Sequence, residues 1–293
     1  MVKTADRWND YRLLDAGDGE KLEQWDNIVL RRPDPQAIWP RDKSFALWNR
    51  ADAVYHRSSS GGGKWEYKKK LPESWTIRYD SLTFKVSPTG FKHTGIFPEQ
   101  AVNWDWMGDL IRTHKDEELR ILNLFAYTGG ATMACSAAGA AEVVHVDAAK
   151  GMVKWAQENR DLSGLQDRRI RFIVDDVQKF VEREKRRGRT YHGILMDPPS
   201  YGRGPDGEMW KFETEIIKLI NACLDILDEH ALFFLINSYT TGFSSIVLED
   251  IMKTMILTEH PDGKIDTGEV ALPIEHRQLL LPCGIYGRWQ RND

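Results

Sequence analysis

The sequence predicts an α/β fold: a Rossmann-like, mostly parallel seven-stranded sheet with an antiparallel C-terminal hairpin, preceded by a small N-terminal β-rich domain. Three observations predict it. Helix-like and strand-like segments alternate after Gln100, which is the pattern of a parallel sheet covered by helices. Before residue 96 the segments are short and rich in aromatic and β-branched residues, as strands are. A glycine turn, Thr128-Gly129-Gly130, follows the first strand of the alternation, and acidic residues stand at the ends of the strands after it.

Taken in chain order, Ile28 to Leu30, Ser74 to Tyr79 and Leu82 to Val86 read as strands of a domain spanning residues 1–95. Ser58-Ser-Ser-Gly-Gly-Gly63 is expected to be a flexible hairpin tip. Six of the eleven tryptophans fall in this domain; most are expected to pack its small core, and stacking on unpaired bases is the alternative. Residues 96–293 form the second domain. It alternates a helix at Gln100 to Lys115, a strand at Arg120 to Phe125, a helix at Ala131 to Gly139 and a strand at Glu142 to Asp147. There follow a helix at Lys150 to Asp161, a strand at Ile170 to Val174, a helix at Val177 to Arg187 and a strand at Gly193 to Asp197. Glu213 to Asp228, Ala231 to Asn237 and Ser244 to Ile256 read as helix, strand and helix. Glu269 to Ile274 and Gln278 to Trp289 lack an intervening helix and so predict the closing hairpin.

With 293 residues, 41% of them apolar, the chain can bury a sizeable core. No run of about 18 apolar residues is present, and the polar start Met1-Val-Lys-Thr lacks a signal-peptide core. No membrane association is expected, and a cytoplasmic location is. Cys135, Cys223 and Cys283 are odd in number and far apart, so reduced thiols and no metal site are expected. The net charge of −4 conceals a division: residues 1–95 carry +4 and residues 96–293 carry −8. Arg57, Lys64, Lys68, Lys69, Lys70, Arg78, Lys85 and Lys92 concentrate positive charge between His56 and Gly95. Such a stretch attracts a polyanion or guards an exposed strand edge. The basic run Arg183 to Arg189 has the same two readings, RNA contact or a helix end whose cations offset the dipole.

In open parallel sheets ligands bind at the carboxyl ends of the strands. The Leu122-Asn-Leu-Phe-Ala-Tyr-Thr-Gly-Gly130 turn brings backbone close to such a ligand. Asp147 stands where a carboxylate accepts from ribose hydroxyls, or caps the next helix. Asp176 is placed to hold an adenine amine; Asp175 competes with it, and either can be a helix cap. In Asp197-Pro-Pro-Ser200 the prolines deny helix, leaving the Asp197 carboxylate and the Pro198 carbonyl as paired acceptors for an amino group. Such a clamp orients a nitrogen lone pair toward an activated methyl group. The Gly-x-Gly-x-x-Gly fingerprint of nicotinamide enzymes is absent.

With Thr94-Gly-Ile-Phe-Pro-Glu-Gln100 in front of these motifs, residues 91 to 293 resemble the class I S-adenosylmethionine-dependent methyltransferases. More narrowly, they are similar to the bacterial family of 23S ribosomal RNA methyltransferases that modify cytosine C5 or guanine N7. The resemblance implies S-adenosyl-L-methionine as cofactor and ribosomal RNA as partner. It implies that Phe125, Gly129 and Asp147 contact the methionine and ribose ends of the cofactor. Asn123, Thr128 and Ala148 stand beside them, Asp176 and Val177 lie at the adenine, Asp197 borders the transfer site, and Phe97 and Gln100 close over the cofactor. Asp197, Pro198 and Tyr201 are the catalytic candidates, and Ser200, Tyr201, Arg203 and Tyr239 are the substrate contacts. Tyr201 and Tyr239 either sandwich a flipped base or wall the pocket. Gly202 to Glu208 is expected to be a mobile substrate loop with Trp210 packed beneath it. Two departures stand out: Ala101 occupies a position where many relatives carry arginine, and no cysteine follows the fourth or fifth strand. Cytosine C5 methylation needs such a thiolate, so direct transfer to a base nitrogen is expected. Methylation of a small metabolite or protein side chain, and a non-catalytic cofactor-holding RNA-binding factor, are the alternatives. A homo-oligomer is left open.

Overall fold

The computed structural model describes the chain except for residues 59–61, 91, 116, 205, 206, 208, 241 and 293. It forms two compact units, one of residues 1–3, 102–270 and 284–293, the other of residues 4–101 and 271–283. Both units are discontinuous in sequence, and the second takes in the tip of the C-terminal hairpin.

After β1 (Val2–Thr4), the strands of the unit of residues 4–101 and 271–283 include β2 (Tyr11–Gly17), β3 (Glu20–Trp25), β4 (Ile28–Pro33), β5 (Ala53–Arg57) and β6 (Gly63–Tyr67), hydrogen-bonded in that order. β7 (Trp75–Tyr79) and β8 (Leu82–Val86) form a separate antiparallel hairpin. Asp18 and Gly19, both at positive φ (52° and 76°), make the tight turn between β2 and β3 that matches strand twist. Ser58 and Gly62 close the hairpin between β5 and β6 through Ser58 N donating to Gly62 O at 3.1 Å, while residues 59–61 of the expected flexible tip lie outside the described residues. Of the six tryptophans, Trp8, Trp25 and Trp48 are buried, Trp39, Trp65 and Trp75 are half-buried, and Trp39 and Trp65 donate to the carbonyls of Ala16 and Thr89 at 2.8 Å. Arg277, at the hairpin tip, donates to the buried Asp15 carboxylate at 2.8 Å, which ties residues 271–283 into this unit. At its centre Arg32 forms a two-pronged ion pair with Glu23 (2.6 and 2.8 Å), and Tyr11 donates to Glu23 at 2.9 Å. Burial opposes ionisation of Glu23, but Arg32 and Lys21 outweigh it and hold the carboxyl at about 2.

The other unit is built on β9 (Arg120–Leu124), β10 (Glu142–Asp147), β11 (Ile170–Val174), β12 (Gly193–Met196), β15 (Phe233–Ser238) and, apart from their tip residues 271–283, β16 (Gly263–Ile274) and β17 (Leu279–Arg291). Between β12 and β15 lies a small ribbon of β13 (Tyr201–Arg203) and β14 (Met209–Lys211). The strand order is β11-β10-β9-β12-β15-β17-β16. The first five strands are parallel and β17 is antiparallel to β15, so the expected mostly parallel arrangement closed by an antiparallel hairpin is present, while β16 also pairs with β2, which makes these seven strands part of a larger sheet. Among the described residues six α-helices accompany it: α1 (Ala101–Thr113), α2 (Gly130–Ala138), α3 (Lys150–Leu162), α4 (Val177–Arg186), α5 (Phe212–Leu224) and α6 (Ser245–Glu259). α4 buries Val177, Phe180, Val181 and Glu184, and α5 buries Phe212, Ile216, Leu219, Ile220 and Cys223, the spacing of one helical face. They cover Leu122, Leu124, Val144, Val146, Ile194, Met196, Phe234 and Ile236. The alternate residues Ile121, Asn123, Val143, His145 and Leu195 are buried too, as in a sheet covered on both faces. The chain runs outward from β9 to β10 and β11, then returns to place β12 on the other side of β9. Ligand crevices form at this reversal.

Candidate active site

The parallel register aligns the carboxyl ends of the strands. Leu124 pairs with Val146 and with Met196, Asp147 with Val174, and Met196 with Ile236. The loops that leave these ends therefore stand along one edge, and most of the expected site residues lie on them: Phe125 to Gly129, Asp147 and Ala148, Asp176 and Val177, Asp197 to Ser200, and Tyr239.

The loop after β9 is conformationally costly. Phe125 (φ 54°) and Tyr127 (φ 49°) are both left-handed without being glycine, and Gly129 (φ 84°) is the left-handed N-cap of α2. Non-glycine residues in this region cluster at functional sites, where surrounding contacts hold them. Here the contacts are explicit: Ala126 N donates to Val146 O at 3.0 Å, Tyr127 N to Asp147 Oδ2 at 2.8 Å, and Asn159 to Thr128 O at 2.8 Å. A Cβ on Gly129 would approach Ala156 Cβ and Met133 Cε to 3.1 Å.

Asp147 uses both carboxylate oxygens on its own backbone surroundings, Oδ1 accepting from Ala149 N at 2.8 Å. Each oxygen has a second lone pair with which to accept from a ligand. The residue is half-buried, and burial raises its carboxyl above the ordinary value against the lowering effect of these two bonds. Asp176 caps α4, Oδ1 accepting from Lys179 N at 3.0 Å, which leaves the capping bond to one oxygen of the two. Its competitor Asp175 is paired with Arg183. Ala148 is half-buried, and Val177 is buried in the core. Asn123 faces inward: its amide donates to Thr132 Oγ1 at 2.9 Å, and Thr132 Oγ1 lies 3.0 Å from His145 Nδ1. Burial pushes His145 down to about 3, so its ring is neutral.

At the acceptor end Asp197 is half-buried and Pro198 buried, whereas Pro199 and Ser200 are exposed. The Pro199 carbonyl accepts from Trp210 Nε1 at 2.6 Å, and the Trp210 ring stands 4.9 Å from that of Phe125. Trp210 therefore joins the loop after β12 to the loop after β9. Thr240 Oγ1 donates to Ser200 Oγ at 2.9 Å, which joins the loop after β12 to the loop after β15 and brings Tyr201 and Tyr239 onto adjoining segments. Neither link was legible in the sequence, because each depends on which strands are neighbours. Of the expected mobile loop from Gly202 to Glu208, Gly202 and Arg203 lie in an antiparallel ribbon in which Tyr201 to Arg203 pair with Met209 to Lys211, since aromatic residues on both arms favour strand pairing. Residues 205, 206 and 208 lie outside the described residues. Tyr201 and Arg203 are exposed on the ribbon, and the Tyr201 hydroxyl lies 3.4 Å from Met209 Sδ. Tyr239 is half-buried.

Behind the β15 loop, a buried network supports Asn237. Arg288 donates to Asn103 Oδ1 (2.7 and 3.0 Å), and Asn103 donates to Asn237 Oδ1 at 2.9 Å. The Arg288 guanidinium lies between the Trp106 and Tyr286 rings, 4.8 and 4.6 Å from their centroids, and burial lowers it to about 10. Phe97 and Gln100 belong to the other compact unit, at the short helix Pro98–Gln100, where Gln100 is buried.

A family model described as S-adenosylmethionine-dependent methyltransferase matches residues 46–250, more than half of the chain. The chain belongs to this family. A solved S-adenosylmethionine-dependent methyltransferase from Agrobacterium tumefaciens is 35% identical, superposes with a TM-score of 0.94, and is covered to 94% by this methyltransferase, itself covered fully. Ribosomal RNA large subunit methyltransferase K of Neisseria meningitidis is 25% identical over 80% of the chain, and ribosomal RNA large subunit methyltransferase I of Tolumonas auensis is 28% identical over 93%. The chain spans 66% and 64% of those two relatives. A structure solved with S-adenosylhomocysteine shares the fold, with a TM-score of 0.70 at 19% identity.

The site suits the cofactor on chemical grounds. Ribose hydroxyls and an adenine amine are hydrogen-bond donors, and the strand ends present carboxylates, which accept, at Asp147 and Asp176. Among the described residues no group of three or more His, Cys, Asp and Glu could hold a metal ion, and no helix is long and apolar enough to cross a membrane.

Proposed function

We propose that this methyltransferase acts on ribosomal RNA, transferring the methyl group to a base nitrogen without a covalent enzyme intermediate. The observation that carries the proposal is the Asp197-Pro-Pro-Ser200 segment, held by Trp210 on one side and Thr240 on the other at the carboxyl edge of the sheet. When bound, S-adenosylmethionine supplies a methyl group already activated on a sulfonium sulfur. Asp147 and Asp176 then hold the ribose and adenine, and Phe125, Thr128 and Gly129 border the methionine end. The Asp197 carboxylate and the Pro198 carbonyl accept hydrogens of the target amine, aiming its lone pair, so that orientation supplies most of the rate. Tyr201 and Tyr239 stack the extruded base, and Arg203 on the ribbon reaches a backbone phosphate.

The cysteines favour nitrogen over carbon. Burial pushes the Cys135 thiol up to about 12 and raises that of Cys223, so neither supplies a thiolate near neutral pH. The names of the two relatives favour ribosomal RNA, as does the exposed basic stretch of Arg57, Lys64, Lys68, Lys69, Lys70 and Arg78. The reading also implies a cytoplasmic protein. The test compares modified nucleosides, by mass spectrometry, in ribosomal RNA from cells with the wild-type chain, without it, and with Asp197→Ala. One N-methylated nucleoside that disappears in both mutant strains is the expected result. Unchanged ribosomal RNA would shift the acceptor to a small metabolite or protein side chain, and loss of 5-methylcytosine would overturn the nitrogen assignment.

A further inference from the structure

The opposite edge of the same sheet carries a second polar site. At the amino ends of β9, β10 and β12 a cavity of about 320 Å3 is lined chiefly by Glu118, Arg120, Glu142, Arg169, Arg189 and Thr190. The five residues of β9 separate it from the active-site loops by about 16 Å at the usual strand rise.

Its charge is organised around two buried carboxylates. Glu142 is met by Arg189 at 2.6 Å, Arg169 at 3.2 Å and Arg171 at 3.9 Å. Glu184 is met by Arg187 at 2.8 Å, Arg189 at 3.4 Å and Arg171 at 3.9 Å, and accepts from the Tyr191 hydroxyl at 2.6 Å. Four guanidinium groups thus surround two carboxylates, a local excess of two positive charges. Arg120 adds a fifth, fixed by its bonds to Thr190 O and Oγ1 (2.9 and 3.0 Å) and paired with Asp228 at 3.7 Å. Hydrogen bonds from Arg189 to Glu142 and from Arg187 to Glu184 fix those two guanidinium groups, whereas Arg169 meets Glu142 only as an ion pair and its side chain is 69% exposed, so its donors are available to a ligand. Each guanidinium has five donors, more than two carboxylates can take. The basic run from Arg183 to Arg189 is divided accordingly. Arg183 and Lys185 pair with Asp175 and Asp225, whereas Arg187 and Arg189 join this cluster.

We propose that this cavity binds a phosphate group, borne either by an RNA strand or by a small phosphorylated compound. Pre-positioned guanidinium forks match phosphate oxygens in pairs, which a single lysine does not. Glu118, exposed at the lining, is screened by solvent and leaves the excess positive. The proposal is independent of the acceptor assigned above, because the site lies away from the cofactor loops.

The experiment titrates the full chain with inorganic phosphate by calorimetry at low salt, for wild type, Arg169→Gln and Arg112→Gln. Arg112 is an exposed arginine paired with Asp109, and its substitution controls for net charge. S-adenosylhomocysteine binding by each variant reports that the fold is intact. Saturable millimolar binding is expected, weakened at least fivefold by Arg169→Gln and unchanged by Arg112→Gln. If Arg169→Gln does not fold, Arg120→Gln carries the same expectation. A parallel salt titration with a ribosomal RNA fragment separates the two sources. An RNA phosphate in the site makes the slope of log affinity against log salt shallower by about one in the variant; a small phosphorylated ligand leaves it unchanged while phosphate binding is lost. Absence of saturable phosphate binding by wild type, or equal binding by Arg169→Gln, overturns the proposal.

Discussion

Replacing Trp210 tests whether the cofactor loop and the acceptor loop work as one unit. Its indole packs at the margin of the core and joins the two loops through a hydrogen bond to the Pro199 carbonyl at 2.6 Å and a ring contact with Phe125 at 4.9 Å. A net hydrogen bond contributes about 0.5–1.5 kcal/mol and an aromatic pair a further 0.5–1.5 kcal/mol or so. Trp210→Ala therefore removes about 1–3 kcal/mol of support, or roughly 5- to 150-fold at a factor of ten per 1.4 kcal/mol. Phe125 is also left-handed, so loss of its partner lets the loop relax toward easier backbone angles. Trp210→Phe keeps a ring against Phe125 and loses only the hydrogen bond, with an expected effect of about fivefold. Calorimetry with S-adenosylhomocysteine measures the cofactor side, and single-turnover methyl transfer measures the acceptor side. Both are expected to weaken in Trp210→Ala, with Trp210→Phe between it and wild type. Cofactor binding and transfer rate both within twofold of wild type in Trp210→Ala would refute the reasoning.

Gly129→Ala puts a Cβ on a residue at φ 84° and within 3.1 Å of Ala156 and Met133. It should destabilise the protein by about 1–2 kcal/mol, seen as a lower urea midpoint, and weaken cofactor binding. Asp147, raised by burial, must be ionised to accept from hydroxyls on both oxygens. Cofactor affinity should therefore fall as pH drops, starting above the ordinary carboxylate range, and Asp147→Asn should bind weakly with that pH step abolished. Glu23 has its carboxyl held at about 2, below its usual value near 4.3, so its stabilisation is complete above the usual value and is lost as pH falls toward 2. Its share is roughly 3 kcal/mol at 1.36 kcal/mol per unit. Glu23→Gln strands Arg32 and should cost about 3–5 kcal/mol at neutral pH, measured by urea unfolding, with a flatter acid limb than wild type.

The sequence by itself determined the strand and helix order of the sheet unit. Period-two and period-3.6 patterns are local, and helix–strand alternation leaves a parallel sheet as the way to bury them. It also determined where Phe125, Asp147, Asp176 and Asp197 stand, because a residue at a strand's carboxyl end reaches the ligand edge in any sheet of this kind. Only the tertiary structure decided the contacts between those ends. Trp210 reaches Pro199 and Phe125 from the second strand of a ribbon that no local pattern announced, and Ser200 meets Thr240 because β12 and β15 are neighbours. The inward turn of Asn123 toward Thr132 and His145 was equally hidden, since a polar residue in a doubly covered strand looks the same in sequence whichever way it points. Residues 271–283 fold with residues 4–101 for a similar reason: Arg277 finds the buried Asp15 across more than 250 residues of chain. Such pairings rest on distances in space, which local patterns of side chains do not encode.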